Sequence, residues 1–222
     1  MTTKLLDEIK GRKIVPENLV KDLLRAYGIK TPDYRVISGV KDIKNVNLPF
    51  PLALKLCSDK VLHKTDVGGV VLNIKSIKEL EEKLQEFSRR FPGERFLVET
   101  MEKPGVELIV GLLDDSTFGL SIMVGLGGVF AEVLEDISFR IIPITRGDAE
   151  EMLSELKGKR LLEDFRGIKV NKEALIDLLL KTSRLGEEAS TKISIESMDL
   201  NPIFARETDA VVVDAKLLLK TN

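Results

Sequence analysis

One histidine occurs in the 222 residues, His63, in the run Leu62-His63-Lys64-Thr65-Asp66-Val67-Gly68-Gly69-Val70. Neutral imidazole is nucleophilic near neutral pH. Backbone N–H groups freed by paired glycines can form an anion-binding nest. Lys60 and Lys64 add positive charge on either side. These are the parts needed to hold or accept a phosphoryl group, and they also suit a surface loop with an incidental histidine.

Other residues break the pattern of the strands that carry them, and such breaks are where function concentrates. Lys55 interrupts Leu-Ala-Leu-Lys-Leu-Cys. Alternation puts it opposite Leu52, Leu54 and Leu56, either on a solvated strand face with its stem on apolar surface or reaching a nucleotide phosphate. Glu99 and Glu107 interrupt two further apolar runs, where each also reads as a plain exposed residue. Asp199-Leu200-Asn201-Pro202 and Val213-Asp214-Ala215 bring side-chain oxygens to two adjacent strands. Oxygen ligands in ones and twos, with phosphates completing the shell, suit magnesium. Asn-Pro is equally a turn former, and Asp214 suits a cap or an ion pair. Gly125-Leu126-Gly127-Gly128-Val129-Phe130 is neither a Walker A loop nor a dinucleotide fingerprint, and a tight turn explains it as well.

The elements that must position these residues alternate along the chain. Helical spacing of Leu19, Val20, Leu23, Leu24 and Tyr27 predicts a helix over 17–27, with Gly28 as its C-cap. Ile77, Leu80, Leu84, Phe87 and Phe91 form one stripe over 76–91, with Ser76 as N-cap. Two more helices are expected, from about 148 and over 172–186. Strands are expected over 34–37, 52–57, 70–74, 96–101, 106–113, 120–126, 131–134, 139–144, 193–204 and 210–217. Turns at 103–105 and 114–116 read as hairpin connections. Helices mixed with hairpin-joined strands imply an α+β fold with largely antiparallel sheets.

The 34 basic and 36 acidic residues nearly cancel, so there is no basic footprint for nucleic acid. No apolar run is long enough to span a membrane, and acidic residues interrupt the start where a signal peptide needs an apolar stretch. Cys57 has no companion cysteine, so neither an internal disulfide nor a zinc site is expected. A cytoplasmic location is the simplest expectation.

In order, the chain offers Ala53-Leu54-Lys55, the His63 loop, Val98-Glu99, and Gly105-Val106-Glu107-Leu108-Ile109-Val110-Gly111. Asp115-Ser116-Thr117-Phe118-Gly119, Gly125-Leu126-Gly127-Gly128-Val129-Phe130-Ala131-Glu132, Ser138-Phe139-Arg140, Asp199-Leu200-Asn201-Pro202 and Val212-Val213-Asp214-Ala215 follow. Together these resemble the β subunit of ADP-forming acetyl-CoA synthetase, an ATP-grasp protein related to the β subunit of succinyl-CoA synthetase. The likeness covers essentially the whole chain, and its most specific parts are the His63 run and Gly-Leu-Gly-Gly-Val-Phe.

The resemblance implies an ATP-grasp fold of two lobes with the nucleotide between them, 1–95 carrying the His63 loop and 96–222 the metal ligands. The extreme N-terminus is left free to pack on the second lobe. It implies Lys55 on the nucleotide phosphates, Glu99 at the adenine hinge, Glu107 near the ribose, and Asn201 and Asp214 as magnesium ligands. His63 becomes the phosphorylated histidine, Gly68 and Gly69 the glycines of its mobile loop, and Arg140 a further phosphate contact or else a surface cation. The implied reaction converts acyl-CoA, ADP and phosphate to acid, CoA and ATP through phosphohistidine, with Mg2+ and ATP/ADP bound here. A separate α subunit would bring the CoA-binding and ligase domains, in an α2β2 heterotetramer. Two rival expectations are an ATP-grasp ligase that forms an acyl phosphate directly and a nucleotide-sensing subunit without turnover.

Overall fold

The computed structural model describes residues 2–128 and 136–220. In chain order the elements are α1 (Thr2–Ile9), β1 (Ile14–Val15), α2 (Glu17–Ala26), β2 (Tyr34–Ile37), β3 (Leu52–Cys57), β4 (Val70–Ile74), α3 (Ile77–Arg90), β5 (Arg95–Thr100), β6 (Val106–Asp115) and β7 (Gly119–Leu126). Then come β8 (Ile137–Ile141), α4 (Arg146–Glu155), α5 (Lys172–Ala189), β9 (Ile195–Ala205), β10 (Ala210–Val212) and β11 (Ala215–Leu219).

All strand pairs are antiparallel, as expected, and they form two sheets. Four strands run in the order β2-β5-β3-β4; the other seven run β1-β11-β9-β6-β7-β8, with β10 also paired to β9. The described residues divide into two compact units. The smaller takes Pro16–Asn18 and Pro32–Glu102; the larger takes those up to Val15, Leu19–Thr31 and those from Lys103 onward.

In the smaller unit, α3 lays Leu80, Leu84 and Phe87 on Leu52, Leu54, Leu56, Phe96 and Val98 of the sheet. Ser76 caps that helix by accepting the Glu79 N–H at 3.2 Å, a contact worth about 1 kcal/mol. Phe87 meets Phe96 edge-on with centroids 5.8 Å apart. In the larger unit, one face of the long sheet (Leu108, Val110, Leu112, Ile122, Val124) packs with Met152 and Leu153 of α4 and Leu175, Leu178 and Leu179 of α5. Thr145 and Asp148 cap α4 reciprocally, two residues earlier than the apolar spacing alone suggests. Gly28 ends α2 at φ +74, the left-handed conformation that glycine adopts without strain.

Several expectations need correction. The turn at 103–105 is no hairpin, because β5 pairs with β2 and β3 while β6 pairs with β7 and β9. A lobe boundary between 95 and 96 would therefore cut β5 at its first residue, and the sheet pairing keeps that strand whole in the smaller unit. The strand expected over 139–144 runs from Ile137 to Ile141, since Pro143 has no N–H for the ladder. The last expected strand, 210–217, is two, β10 and β11, parted at Val213 and Asp214. The strand expected over 131–134 lies outside the described residues. No expectation covered α1 and β1, which are too short to show a sustained period.

Candidate functional site

Lys55 sits in the middle of β3, whose six residues are all buried. A solvated strand face is thereby ruled out. A buried ammonium must be paired, because an isolated one costs several kcal/mol. Lys55 Nζ lies 2.7 Å from Glu99 Oε1 on the neighbouring strand and 3.1 Å from Glu17 Oε1 at the start of α2. The register explains the first contact, since Ala53 faces Glu99 across β3 and β5 and Lys55 lies two residues on along the same face. The other oxygen of Glu17 pairs with Lys64. Two lysines and two glutamates thus share one buried cluster, with side-chain exposures of 2–9%.

Lys64 is the neighbour of His63, and the two differ sharply: His63 is exposed and Lys64 buried. The turn that follows is closed by backbone bonds, Gly69 N–H to the Lys64 carbonyl at 2.7 Å and Gly68 N–H to the Thr65 carbonyl at 2.9 Å. Gly68 takes φ +62, and a Cβ there would come 2.8 Å from the Arg90 guanidinium. At Gly69 a Cβ would meet Leu56 and the Lys64 carbonyl at 3.0 Å. Both glycines are therefore needed to shape the turn. Their N–H groups are already donated to the backbone, so in this conformation they do not form the free anion nest expected from the sequence. On the other flank, Lys60 pairs with Glu94 at 3.0 Å. That hydrogen bond holds the Glu94 carboxyl below its ordinary range.

The larger unit carries the other candidates. The break between β10 and β11 sets Asp214 against Asn201 of β9. The Asn201 N–H donates to the Asp214 carbonyl at 3.1 Å, and the Val213 N–H to the Pro202 carbonyl at 3.0 Å. These backbone bonds hold the two residues side by side without using either side chain. Both residues are half-buried, and both offer hard oxygen donors of the kind magnesium takes. Among the described residues no group of three His, Cys, Asp or Glu side chains converges on a metal position. Two protein oxygens, with the remaining positions left to phosphate and water, fit magnesium rather than an all-protein cage.

Glu107 is exposed near the start of β6. Its carbonyl accepts the Gly127 N–H at 2.7 Å. A Cβ at Gly128, where φ is +63, would approach the Glu107 carboxylate to 2.9 Å. The glycine pair thus lets the chain turn tightly over Glu107. These residues line a cavity of about 740 Å³ together with Lys103, Leu126 and Arg206.

Arg140 is not among the residues lining that cavity. Its guanidinium lies 2.6 Å from Glu155 and 3.4 Å from Glu151, tying β8 to α4. The hydrogen bond from Arg140, helped by the Ser138 hydroxyl, pulls the Glu155 carboxyl down to about 2. The smaller unit thus brings Lys55 and Glu99 together, and the larger one Asn201 and Asp214. Glu17 is the participant that sequence reasoning missed: after Pro16 it reads only as a favourable first-turn acid.

Comparison with known proteins gives a consistent picture. A family model described as an ATP-grasp domain matches residues 8–219. The chain is 40% identical over 231 residues to the acetate–CoA ligase [ADP-forming] II subunit beta of Pyrococcus furiosus, covering 98% of this chain and 97% of that one. It is 41% identical over 210 residues to acetate–CoA ligase [ADP-forming] II of Archaeoglobus fulgidus, covering 91% of this chain but spanning 30% of that longer one. Among solved structures it is similar to the dinucleotide forming acetyl-coenzyme A synthetase 1 of Ca. Korarchaeum cryptofilum in complex with coenzyme A and Mg-AMPPCP, whose phosphohistidine segment points towards the nucleotide binding site. The TM-score is 0.84 and the identity 39%, covering 99% of this chain and all of that one.

Proposed function

The chain belongs to the ATP-grasp family, among the β subunits of ADP-forming acetate–CoA ligases, and we propose that it moves a phosphoryl group between His63 and an adenine nucleotide. The observation that carries this reading is the exposed imidazole of His63 beside Lys64, whose buried ammonium shares Glu17 with Lys55. The chain neighbour of the candidate nucleophile and the candidate phosphate-binding lysine are thereby held by one carboxylate.

In the direction of ATP consumption, an imidazole nitrogen of His63 attacks the γ-phosphorus. The N–P bond forms as the bond to the β–γ bridging oxygen breaks, ADP leaves with the electron pair, and the imidazole proton passes to solvent. ATP synthesis is the reverse. Such transfers depend on positioning and charge neutralisation more than on covalent help from the protein. Lys55 supplies a cation for the nucleotide phosphates, Glu99 accepts from the adenine edge, and Glu107 accepts from the ribose hydroxyls. Gly68 and Gly69 are the glycines on which the His63 loop turns. Asn201 and Asp214 would hold Mg2+, which when bound offsets the charge of the phosphates. Arg140, engaged with Glu155 and Glu151, is the weakest of the nucleotide candidates, and its role is structural in this reading.

The full reaction, acyl-CoA with ADP and phosphate giving acid, CoA and ATP, needs a second chain. The longer relative carries more than twice as much chain beyond the matched region, while the Pyrococcus relative is a β subunit of this length. We therefore propose an α subunit with CoA-binding and ligase domains, assembled as α2β2 in the cytoplasm. Among the described residues no helix is long and apolar enough to cross a membrane.

A phosphoenzyme predicts ADP–ATP isotope exchange with no acyl substrate present. Labelled ADP should enter the ATP pool when the protein is incubated with Mg-ATP alone. Absence of exchange both in the isolated chain and in the assembled enzyme would reject this reading.

A further inference from the structure

We propose that Glu17 is a positioning residue for the phosphoryl transfer, holding the His63 turn through Lys64 and the nucleotide lysine Lys55 through its second oxygen. The inference rests on the proposed role of His63 but stands on geometry of its own. Each Glu17 oxygen takes one ammonium, Lys55 at 3.1 Å and Lys64 at shorter range. All three side chains are less than a tenth exposed, so a lost partner would not be replaced freely by water. The carboxylate is itself fixed by its place at the first residue of α2, where the helix dipole favours a negative charge. The next residue anchors that helix start to the sheet. The Asn18 carbonyl accepts the Tyr34 hydroxyl at 3.0 Å, and its side-chain oxygen accepts the Cys57 thiol at 3.1 Å.

Lys64 is pinned twice, by its side chain on Glu17 and by its carbonyl, which closes the turn on Gly69 at 2.7 Å. His63, immediately before it, inherits that position. Nucleotide phosphates arriving at Lys55 compete with Glu17 and Glu99 for its ammonium. As Lys55 turns to the phosphates, the Glu17 carboxylate gives up that ammonium and keeps Lys64, and the turn beneath His63 tightens. Nucleotide binding and placement of the imidazole are coupled through this one side chain.

The test follows amide hydrogen exchange at Gly68 and Gly69 in the full chain, with and without Mg-ADP. In the parent protein these hydrogen-bonded amides should be protected, and Mg-ADP should protect them further. Glu17→Gln and Lys64→Met should each speed their exchange by tenfold or more and abolish the extra protection by Mg-ADP. Exchange in α5, which packs in the core of the larger unit, should not change, and Lys64→Arg should restore protection. Should Glu17→Gln fail to fold, Lys64→Met and Lys64→Arg carry the comparison alone, since Lys64 lies in the turn itself. Parent-like exchange and parent-like Mg-ADP response in the folded variants would overturn the inference. His63 phosphorylation is measured in the same samples. A parent protein that never becomes phosphorylated would reject the proposed function, while the exchange result would still decide the role of Glu17.

Discussion

Lys55 and Glu99 form a 2.7 Å ion pair across β3 and β5, with side-chain exposures of 5% and 2%. A charge pair so placed is costly to break, because the surviving partner stays buried. Lys55→Met should lower stability by about 3–5 kcal/mol, the usual cost of stranding one member of a buried pair. It should also weaken Mg-ADP binding by at least tenfold. Urea unfolding and calorimetric titration measure the two effects. Unchanged ADP affinity in a folded Lys55→Met protein would take Lys55 out of the nucleotide site.

Asn201 and Asp214 are held side by side by backbone hydrogen bonds that leave their side chains uncommitted to the strand pairing. Asn201→Ala and Asp214→Ala leave those backbone bonds in place, and both variants should keep the strand pairing. In the assembled enzyme each should lower turnover by roughly 10²–10³-fold, in line with the loss of a group that stabilises transition-state charge. Each should also raise the magnesium concentration needed for half-maximal rate. A magnesium titration on both variants checks this. A variant with the parent's magnesium requirement identifies a residue that is not a ligand.

The Arg140–Glu155 pair gives a pH test of the larger unit. Arg140 holds the Glu155 carboxyl at about 2 in the folded protein against an ordinary 4.5. Because the folded value is depressed, the unfolded chain binds more protons between these limits. The contribution is complete above about pH 4.5 and is lost as pH falls towards 2. Arg140→Met should flatten the pH dependence of stability in that window and leave ADP–ATP exchange near the parent rate. Loss of exchange in a stable Arg140→Met protein would return Arg140 to the nucleotide site.

The native protein should be part of a larger assembly. Size exclusion of the endogenous material should show this chain with a longer, CoA-binding chain in equal number. A native monomer that forms acyl-CoA unaided would contradict the proposed α subunit.

Much of the fold was legible because period and punctuation agreed. Helix α3 shows a five-residue apolar stripe bounded by Ser76 and Pro92, and β2, β3 and β4 have the bounds that their runs of apolar residues predict. Sheet membership was less legible. Pro104-Gly105 looks the same whether it returns a strand to its neighbour or carries the chain to another sheet. The site divides in the same way. Lys55, Glu99, Asn201 and Asp214 each break a local apolar pattern and could be picked out. Glu17 breaks none, and its burial follows from two lysines that lie 38 and 47 positions further along the chain. The bonded state of Gly68 and Gly69 was hidden for a related reason, since glycine composition signals a tight turn without saying where its N–H groups point.

The central claim is a phosphoryl group on His63, and the chain makes it easy to test because no other histidine is present. The measurement is incubation with γ-labelled Mg-ATP, or of the assembled enzyme with acyl-CoA and labelled phosphate, followed by mapping of the label. The account predicts one label on His63, lost in acid and stable in base. It also predicts that His63→Asn retains nucleotide binding through Lys55 yet neither takes up label nor forms ATP. ATP formation at the parent rate in His63→Asn would contradict the account and favour a ligase that forms its acyl phosphate directly.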